Sequence, residues 1–395
     1  MTPAARVQTA IEILDQIAAA ARDGGAPADA IFAEAMRARR YAGSKDRRAV
    51  REHVYAAIRA VRSAPDSGRA AMLALADMDP ALAAHFDGSP YGPAPIRADE
   101  PRAALGLASP ALAQLFDPLI AAEEHDAMLA RAPLDIRANA LRTSRDALAA
   151  RLGAGMAIAG TTHGLRLPSE FPAVQTPAFA EGLFEVQDAA SQMAAAAVGA
   201  AAGMTIVDLC AGAGGKTLAI AAAAPGARII ACDTHRARLQ QLAPRADRAG
   251  TAPIETRLLN PGQERAVLAD LEGRADAVIV DAPCSGSGTW RRSPELRWRL
   301  TPARLARHRA DQAMLLALGA ALLRPGGALV YATCSVLAGE GRDQIDAFCR
   351  TATLAWKADF SAIAPGIGRR AGQGILFTPG HDGCDGFYLA RLQSA

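Results

Sequence analysis

Two apolar runs that each lead into a Cys-Ser pair constrain the fold of this sequence more than any other feature. Residues 277–280 lead into Asp281-Ala-Pro-Cys-Ser, and residues 328–331 lead into Ala-Thr-Cys-Ser fifty positions further on. Short apolar runs of this kind are typical of strands buried in a parallel sheet, and open α/β sheets bind ligands beyond the carboxyl ends of their strands. The pattern therefore predicts an α/β sheet whose edge brings Cys284 and Cys334 into one cleft.

The two cysteines predict covalent chemistry. A thiolate is a strong nucleophile, and two thiols in one cleft suit a reaction with separate attack and release steps. An isolated buried cysteine is more often a core residue, but Asp281 and Thr333 flank this pair. Together these residues favour a catalytic role for Cys284 and Cys334 over a packing role.

A glycine-rich turn between a strand-like and a helix-like run predicts a nucleotide-type loop at Val207-Asp-Leu-Cys-Ala-Gly-Ala-Gly-Gly-Lys-Thr217. It is not a P-loop, because the position where that motif requires glycine is Cys210. The next strand-like run ends in Asp233, from which a carboxylate can bind ribose hydroxyls. This spacing leaves both NAD and S-adenosylmethionine open. Asp208, a carboxylate that can meet a cationic ligand, and the downstream cysteines favour S-adenosylmethionine.

The composition limits the classes of partner. The chain has 395 residues and a formal net charge of only +3, so a nucleic-acid-binding surface has to be local. Its basic residues are almost all arginines, which makes arginine richness weak evidence for RNA binding. The six cysteines lack metal-ligand spacing, so we expect no metal site. No signal peptide or membrane span is indicated, and we expect a cytoplasmic monomer without membrane contact.

The pattern of apolar residues predicts three domains. Residues 1–130 are typical of a helical domain, and residues 131–200 of a small α+β module. In residues 201–395 strands and helices alternate, with strands expected near 204–209, 227–232, 276–281 and 327–333 and a long helix over 302–323. The expected fold class is therefore α/β, a doubly wound sheet preceded by the α+β module and an all-helical N-terminal domain.

Taken together, the motifs resemble those of the Sun family of RNA cytosine-5 methyltransferases, most closely its bacterial members. The similarity runs from about residue 134 to the C-terminus. It is carried by Arg137-Ala-Asn-Ala-Leu, Gly182-Leu-Phe-Glu-Val-Gln-Asp-Ala-Ala-Ser191, the 208–217 loop, Asp281-Ala-Pro-Cys-Ser-Gly, Ala332-Thr-Cys-Ser and Gly383-Cys-Asp-Gly-Phe-Tyr. The resemblance implies a class I, Rossmann-like, S-adenosylmethionine-dependent methyltransferase sheet. It also implies a divergent NusB-like RNA-binding domain over residues 1–130, with Gly43-Ser-Lys-Asp-Arg47, and an RRM-like module over residues 131–200.

The resemblance also implies roles for the site residues. Cys334 is the implied nucleophile that adds to C6 of cytosine, and Cys284 assists loss of the C5 proton and release of the enzyme. Asp281 contacts the N3/N4 edge of the base, and Lys216 lies beside the cofactor and the base. The implied cofactor-binding residues are Asp208, Cys210, Ala211, Gly212, Ala213, Gly214, Gly215, Lys216, Asp233, Asn260 and Asp281. Asn260 departs from the family, which has an acidic residue there.

The residues alone leave the two cysteine roles exchangeable. DNA cytosine methyltransferases run the same chemistry from a Pro-Cys dipeptide, which here is Pro283-Cys284. Only the match to the RNA family assigns attack to Cys334.

Two basic segments predict contacts with RNA. Residues 37–51 hold seven basic residues against one acid, a pattern that fits phosphate binding and a solvated helix face equally well. Residues 290–309 interleave tryptophans with arginines, which favours stacking and charge contacts with single-stranded RNA over tryptophans packed in a core.

We therefore expect an enzyme that makes 5-methylcytidine in single-stranded or locally opened RNA, namely 16S ribosomal RNA. The alternatives are the same chemistry on transfer RNA, and an RNA-binding ribosome-assembly protein without catalytic activity.

Overall fold

The computed structural model describes residues 1–352, 354–363 and 366–394, which divide into two compact units. The helical unit comprises Met1–Leu115, His125–Ala130 and Thr289–Pro302. The α/β unit comprises Phe116–Glu124, Arg131–Gly288 and Ala303–Ala395. In these described ranges, no helix is both long and apolar enough to cross a membrane.

The apolar faces of the α-helices form the core of the helical unit. Its helices are α1 (Pro3–Asp23), α2 (Ala28–Ala38), α3 (Ser44–Ala60), α4 (Gly68–Ala76), α5 (Pro80–Ala83), α6 (Pro110–Ala113) and α7 (His125–Leu129). The apolar stripe of α1 is buried, with Val7, Leu14 and Ile17 in the same cluster as Val54 and Ile58 of α3. Burial of these stripes is what stabilises the unit.

The segment Thr289–Pro302 belongs to this helical unit. It contributes to the core and caps the end of α3. Trp290 is fully buried and Trp298 is 6% exposed. Arg297, 3% exposed, donates from Nη2 to the carbonyls of Arg59 at 2.7 Å and Val61 at 2.9 Å, and Trp298 Nε1 also donates to Val61 at 2.9 Å. These carbonyls lie at the end of α3, where a helix leaves its last C=O groups without internal partners.

The prediction that the tryptophans of this segment stack on RNA bases is therefore wrong. Both rings are buried, that of Trp298 in the core of the helical unit, and Nη2 of the neighbouring Arg297 is bound to backbone carbonyls.

A four-stranded antiparallel sheet opens the α/β unit. Its strands are β1 (Leu134–Ala138), β2 (Met156–Ala157), β3 (Gly164–Leu167) and β4 (Phe184–Val186), in the order β2-β3-β1-β4. The accompanying helices are α8 (Arg145–Leu152), α9 (Pro177–Ala180) and α10 (Ala189–Ala196). Ile136, Leu148 and Phe184 form the centre of its small core.

A nine-stranded mixed sheet dominates the rest of the α/β unit. Its strands are β5 (Thr205–Asp208), β6 (Arg228–Asp233), β7 (Glu255–Leu258), β8 (Ala275–Asp281), β9 (Leu323–Thr333), β10 (Trp356–Ala358), β11 (Arg369–Ala371), β12 (Gly374–Phe377) and β13 (Phe387–Ser394). The order is β11-β12-β13-β9-β8-β5-β6-β7, and β10 pairs with β13. The pairs among β5, β6, β7, β8 and β9 are parallel, whereas β13 runs antiparallel to β9. The α/β fold class predicted from the sequence is thereby confirmed.

Helices connect these strands: α11 (Gly215–Ala223), α12 (Arg236–Leu239), α13 (Leu242–Ala249), α14 (Glu264–Val267), α15 (Pro302–Leu322), α16 (Arg342–Thr351) and α17 (Pro379–Asp382). The chain passes from β5 to β6 on one side, and β8 pairs with the other side of β5. Such a reversal opens a crevice at the carboxyl ends of the central strands. The predicted site residues of this sheet all lie at this carboxyl edge.

Candidate functional site

Parallel strands deliver four polar side chains to the carboxyl edge of the large sheet. β5 ends at Asp208, β6 at Asp233, β8 at Asp281 and β9 at Thr333. Asp208 lies opposite Ile279, and Asp281 lies opposite Ala332. The loops that follow β8 and β9 are therefore neighbours, as the sequence predicts.

The two cysteines meet in this cleft. Cys284 Sγ lies 3.4 Å from Cys334 Sγ, and both residues are half-buried free thiols. Their loops are joined by the backbone, since Gly288 N donates to Cys334 O at 3.0 Å. A Cβ atom at Gly288 would lie 1.7 Å from the Gly386 carbonyl, so only glycine permits this close approach.

The environment of the Cys284 thiol disfavours its ionisation. The hydrogen bond with Cys334, together with burial, raises the pKa of the Cys284 thiol well above its ordinary value. Cys284 therefore stays protonated and can donate its S–H to the Cys334 sulfur.

A buried ion pair lies beside the thiols. Lys216 Nζ, at the start of α11, donates to Asp281 Oδ2 at 2.6 Å and lies 5.2 Å from the centre of the Phe387 ring. Burial disfavours the charge on Lys216, but the Asp281 carboxylate outweighs it and raises the pKa of the ammonium group. The pair thus holds a fixed cation and a half-buried carboxylate at the cleft.

The glycine-rich loop wraps around the end of β6. Gly214, at φ 86°, has no room for a side chain, because a Cβ there would lie 2.1 Å from Leu242 Cδ1. Asp233 fixes the loop, with Oδ2 accepting from Gly212 N at 2.7 Å and Oδ1 accepting from His235 N at 2.6 Å. Each carboxylate oxygen keeps a second lone pair that can accept from a ribose hydroxyl.

Asp208 supports this loop from inside the protein. Its side chain is 1% exposed, and Oδ2 accepts from the Thr217 hydroxyl at 2.7 Å. Burial raises the pKa of Asp208 to about 7. The geometry therefore gives no support to the expected contact between Asp208 and a cationic ligand, which stays a prediction.

The remaining predicted residues of the glycine-rich loop also lie at the carboxyl edge of the sheet. Ala211 N donates to Cys232 O at 2.9 Å, and Ala213 O accepts from Arg245 Nη1 at 2.5 Å. Cys210 is half-buried, and burial raises the pKa of its thiol. Gly215 starts α11.

Asn260 lies just beyond β7, next to the end of β6. Leu259 N donates to Asp233 O at 2.9 Å, which holds Asn260 close to that strand end with an exposed side chain. Its contact with an adenine ring stays a prediction.

Arg238 on α12 is a further candidate for cofactor binding, and the sequence did not single it out. Its Nη2 lies 3.2 Å from the position that a Cβ atom of Gly212 would take. The signal available in the sequence was its distance of five positions from Asp233, which places it in the first turn of the next helix.

These residues fit a nucleoside cofactor with a cationic reactive centre. Gly212 and Gly214 allow the backbone to approach a ligand closely, and Asp233 can hold a ribose. Asp281, three positions before Cys284, offers a half-buried carboxylate to a cationic group.

Comparison with known proteins agrees with this geometry. A family model described as 16S rRNA methyltransferase RsmB/F matches residues 196–393, which is half of the chain. The chain is 39% identical over 274 residues to a probable ribosomal RNA small subunit methyltransferase B of Synechocystis sp., with 66% of this chain aligned. It is 36% identical over 271 residues to the ribosomal RNA small subunit methyltransferase B of Erwinia tasmaniensis, with 68% aligned. The chain spans 60% and 61% of the length of these two curated relatives.

Solved structures show a similar fold. The crystal structure of PH0851 has a TM-score of 0.72 at 20% identity, covering 99% of both chains. A methyltransferase homolog protein from Pyrococcus horikoshii has a TM-score of 0.59 at 25% identity, covering 69% of this chain and 90% of its own. NSun6 from Pyrococcus horikoshii, crystallised with SFG, has a TM-score of 0.60 at 19% identity, covering 68% of this chain and 92% of its own.

Proposed function

This chain belongs to the 16S rRNA methyltransferase RsmB/F family, and we propose that it transfers a methyl group from S-adenosylmethionine to C5 of cytidine in 16S ribosomal RNA. The family resemblance and the class I methyltransferase fold expected from the sequence are confirmed. S-adenosylmethionine is the cofactor of this class. The position of the methyl group, the covalent route and the RNA substrate are the proposal.

The observation that carries the proposal is the thiol pair beside an ion pair. Cys284 and Cys334 lie 3.4 Å apart, and Asp281, which ends the strand leading to Cys284, is bound to Lys216 at 2.6 Å. Cytosine C5 is a weak nucleophile, so methylation there needs prior activation of the ring. A thiol next to a carboxyl group provides that activation.

In the proposed route, Cys334 attacks. A bond forms between Cys334 Sγ and cytosine C6, and the C5–C6 π electrons move so that C5 becomes nucleophilic. Cys284 Sγ lies 3.4 Å from the attacking sulfur, where its S–H can donate a hydrogen bond to it.

Asp281 helps to neutralise the negative charge that develops on the cytosine ring. As electrons move into the ring, the Asp281 carboxylate relays a proton from the Lys216 ammonium group to N3, and this proton returns along the same path when the C5–C6 double bond is restored. Lys216 holds the Asp281 carboxylate in place, which limits its rotation and sets its orientation towards the base.

Cofactor and release complete the cycle. When bound, S-adenosylmethionine supplies an electrophilic methyl group on a sulfonium centre. Residues 210–215, Asp233 and Asp281 would hold it, with its methyl group available to the nucleophilic C5. Once Cys334 Sγ is bonded to C6, Cys284 loses its proton to solvent water and its thiolate takes the C5 proton. The electrons of the C5–H bond restore the C5–C6 double bond, and the bond between C6 and Cys334 Sγ breaks, which leaves Cys334 as a thiolate and Cys284 protonated again.

A basic surface on the helical unit supports an RNA partner. In the segment 37–51, Arg37 pairs with Glu34 and Arg51 pairs with Asp29. Three further side chains, those of Arg40, Lys45 and Arg48, are exposed, as is the Tyr41 ring. We call these four residues the basic surface; exposed cations around an aromatic ring suit phosphates and an unstacked base.

The test is methylation of defined RNA. The protein is incubated with labelled S-adenosylmethionine and either 16S ribosomal RNA or transfer RNA, and the RNA is digested to nucleosides. The proposal predicts label in 5-methylcytidine from 16S ribosomal RNA. Label only in transfer RNA overturns the substrate, and label in another nucleoside overturns the chemistry.

A further inference from the structure

A buried glutamate joins the two cysteine loops. Glu340, six positions after Cys334, is 1% exposed. Its Oε1 accepts from Ser285 N at 2.9 Å and from Gln312 Nε2 at 3.3 Å. Its Oε2 accepts from the Ser335 hydroxyl at 2.7 Å and from the Ser285 hydroxyl. One carboxylate therefore binds the residue that follows each thiol.

The two Cys-Ser pairs are arranged face to face. The hydroxyl oxygens of Ser285 and Ser335 lie 3.3 Å apart, and the neighbouring sulfurs of Cys284 and Cys334 lie 3.4 Å apart. Because each serine is bonded covalently to its cysteine, fixing the serines fixes the spacing of the sulfurs.

The backbone of Glu340 is anchored as firmly as its side chain. Tyr331 OH donates to the Glu340 carbonyl at 2.8 Å, and Thr333 Oγ1 donates to the same oxygen at 3.3 Å. Both donors lie on β9. The carboxylate is thus held against the sheet while it binds both loops, and its several donors offset the cost of burying a charge.

We infer that Glu340 is a positioning residue that sets the spacing of the Cys284 and Cys334 sulfurs. Its contribution to methyl transfer rests on the proposed function, whereas its contribution to the sulfur spacing does not.

Two substitutions separate spacing from charge. Glu340→Ala leaves Ser285 N without its acceptor and releases both serine hydroxyls. Glu340→Gln retains an oxygen for Ser285 N and Gln312, and its amide N–H can donate to the two hydroxyls, which rotate to accept. The glutamine variant should therefore keep the spacing, and the alanine variant should lose it.

Chemical oxidation by a diazene dicarboxamide such as diamide measures the spacing without RNA or cofactor. Each event breaks two S–H bonds and forms one S–S bond between Cys284 and Cys334. The two electrons and two protons reduce the N=N bond of diamide to a hydrazine. Peptide mass spectrometry identifies the crosslinked pair and its rate of formation.

The expected result is rapid crosslinking in the unmodified protein and in Glu340→Gln. In Glu340→Ala we expect a rate lower by roughly tenfold or more, the scale on which small displacements of reacting groups act. An unchanged rate in Glu340→Ala overturns the inference, and so does a rate in Glu340→Gln as low as in Glu340→Ala.

Glu124→Ala is the matched control. Glu124 is also a buried carboxylate of the α/β unit, bound to the Thr378 hydroxyl and to Arg369 at 2.7 Å, without contact to the cysteine loops. It should lose stability but retain the crosslinking rate. A slow rate in Glu124→Ala shows that general destabilisation explains the effect and overturns the inference.

A milder variant covers the case in which Glu340→Ala fails to fold. Ser335→Ala removes one hydroxyl that binds the carboxylate and should also slow crosslinking, while an unchanged rate contradicts the inference. Methyl transfer is measured on the same variants. If Glu340 alters crosslinking and no variant or parent methylates RNA, the proposed function fails while the positioning role stands.

Discussion

At the scale of single residues, the acidic side chains at the strand ends have three different environments. Asp208 is buried behind the glycine-rich loop, Asp233 binds two backbone N–H groups, and Asp281 pairs with Lys216. All three were predicted as site residues from their positions after apolar runs. The sequence could not distinguish their environments, because exposure depends on how the loops fold back. Glu340 was missed for the same reason, since only the fold brings it to Ser285.

Asp208 predicts a pH dependence of stability. Burial raises its pKa in the folded protein to about 7, above the ordinary value of 3.8. The protonated carboxyl therefore favours the folded state, and this stabilisation is lost as the pH rises through about 7. Asp208→Asn, which stays neutral, should gain free energy of unfolding relative to the parent between pH 5 and pH 8, on the order of 2–4 kcal/mol. Urea unfolding at both pH values measures it, and a pH-independent difference contradicts this account.

Asp233 predicts a loss of cofactor affinity. Asp233→Ala removes the acceptor that fixes Gly212 N and the proposed acceptor for ribose hydroxyls. We expect binding of S-adenosylmethionine to weaken by roughly 1–3 kcal/mol, on the scale of hydrogen bonds to a charged group. Asp247→Ala, at an exposed position of α13, is the control and should bind as the parent does. Equal calorimetric affinities for Asp233→Ala and the parent reject the role.

At the scale of secondary-structure elements, the central strands could be predicted from the sequence, whereas the edge strand β7 could not. β5, β6, β8 and β9 are buried apolar runs, and each was predicted within a few residues of its observed bounds. β7 was missed because Glu255-Thr-Arg-Leu at the sheet edge is partly exposed and carries charge. The segment after Gly288 was interpreted wrongly, because both of its tryptophans are buried and Trp298 belongs to the core of the helical unit.

The hydrogen bonds of Arg297 predict that its side chain stabilises the helical unit. Arg297→Ala removes the side-chain donor to the Arg59 carbonyl at the end of α3 and leaves the Val61 carbonyl with the donor Trp298 Nε1 alone. The free energy of unfolding should fall by roughly 2–4 kcal/mol. Arg48→Ala, exposed on the same helix, should change it by less than about 0.5 kcal/mol. A similar small effect for both variants contradicts the capping role.

The basic surface predicts the electrostatic part of RNA binding. Exchanging Arg40, Lys45 and Arg48 for glutamate should weaken RNA binding. It should also reduce the slope of the binding constant against salt concentration, both on logarithmic scales, by about one for each phosphate that is no longer neutralised. Lys357→Glu is the control, because it reverses a positive charge in the same way at an exposed position of the α/β unit. Unchanged affinity and salt dependence in the triple variant reject this surface as an RNA-binding site.

At the scale of the whole molecule, the chain divides into a helical unit and an α/β unit. The three-domain division made from the sequence stays a prediction, as does a NusB-like or RRM-like role for its first two parts. Contact between residues 289–302 and the helices of the first unit could not be predicted, because it joins positions more than two hundred residues apart. The carboxyl edge of the sheet was predictable, because parallel strands bring their ends together.

The central claim is that Cys334 attacks the base and Cys284 serves release. The most direct measurement is denaturing electrophoresis of single-cysteine variants incubated with substrate RNA and S-adenosylmethionine. Cys284→Ala should attack, transfer the methyl group and stall, giving a band of enzyme bonded to RNA, because release requires loss of the C5 proton. Cys334→Ser should give neither a shifted band nor methylated RNA. A shifted band for Cys334→Ser and none for Cys284→Ala would reverse the roles, and turnover by both variants without any band would contradict covalent catalysis.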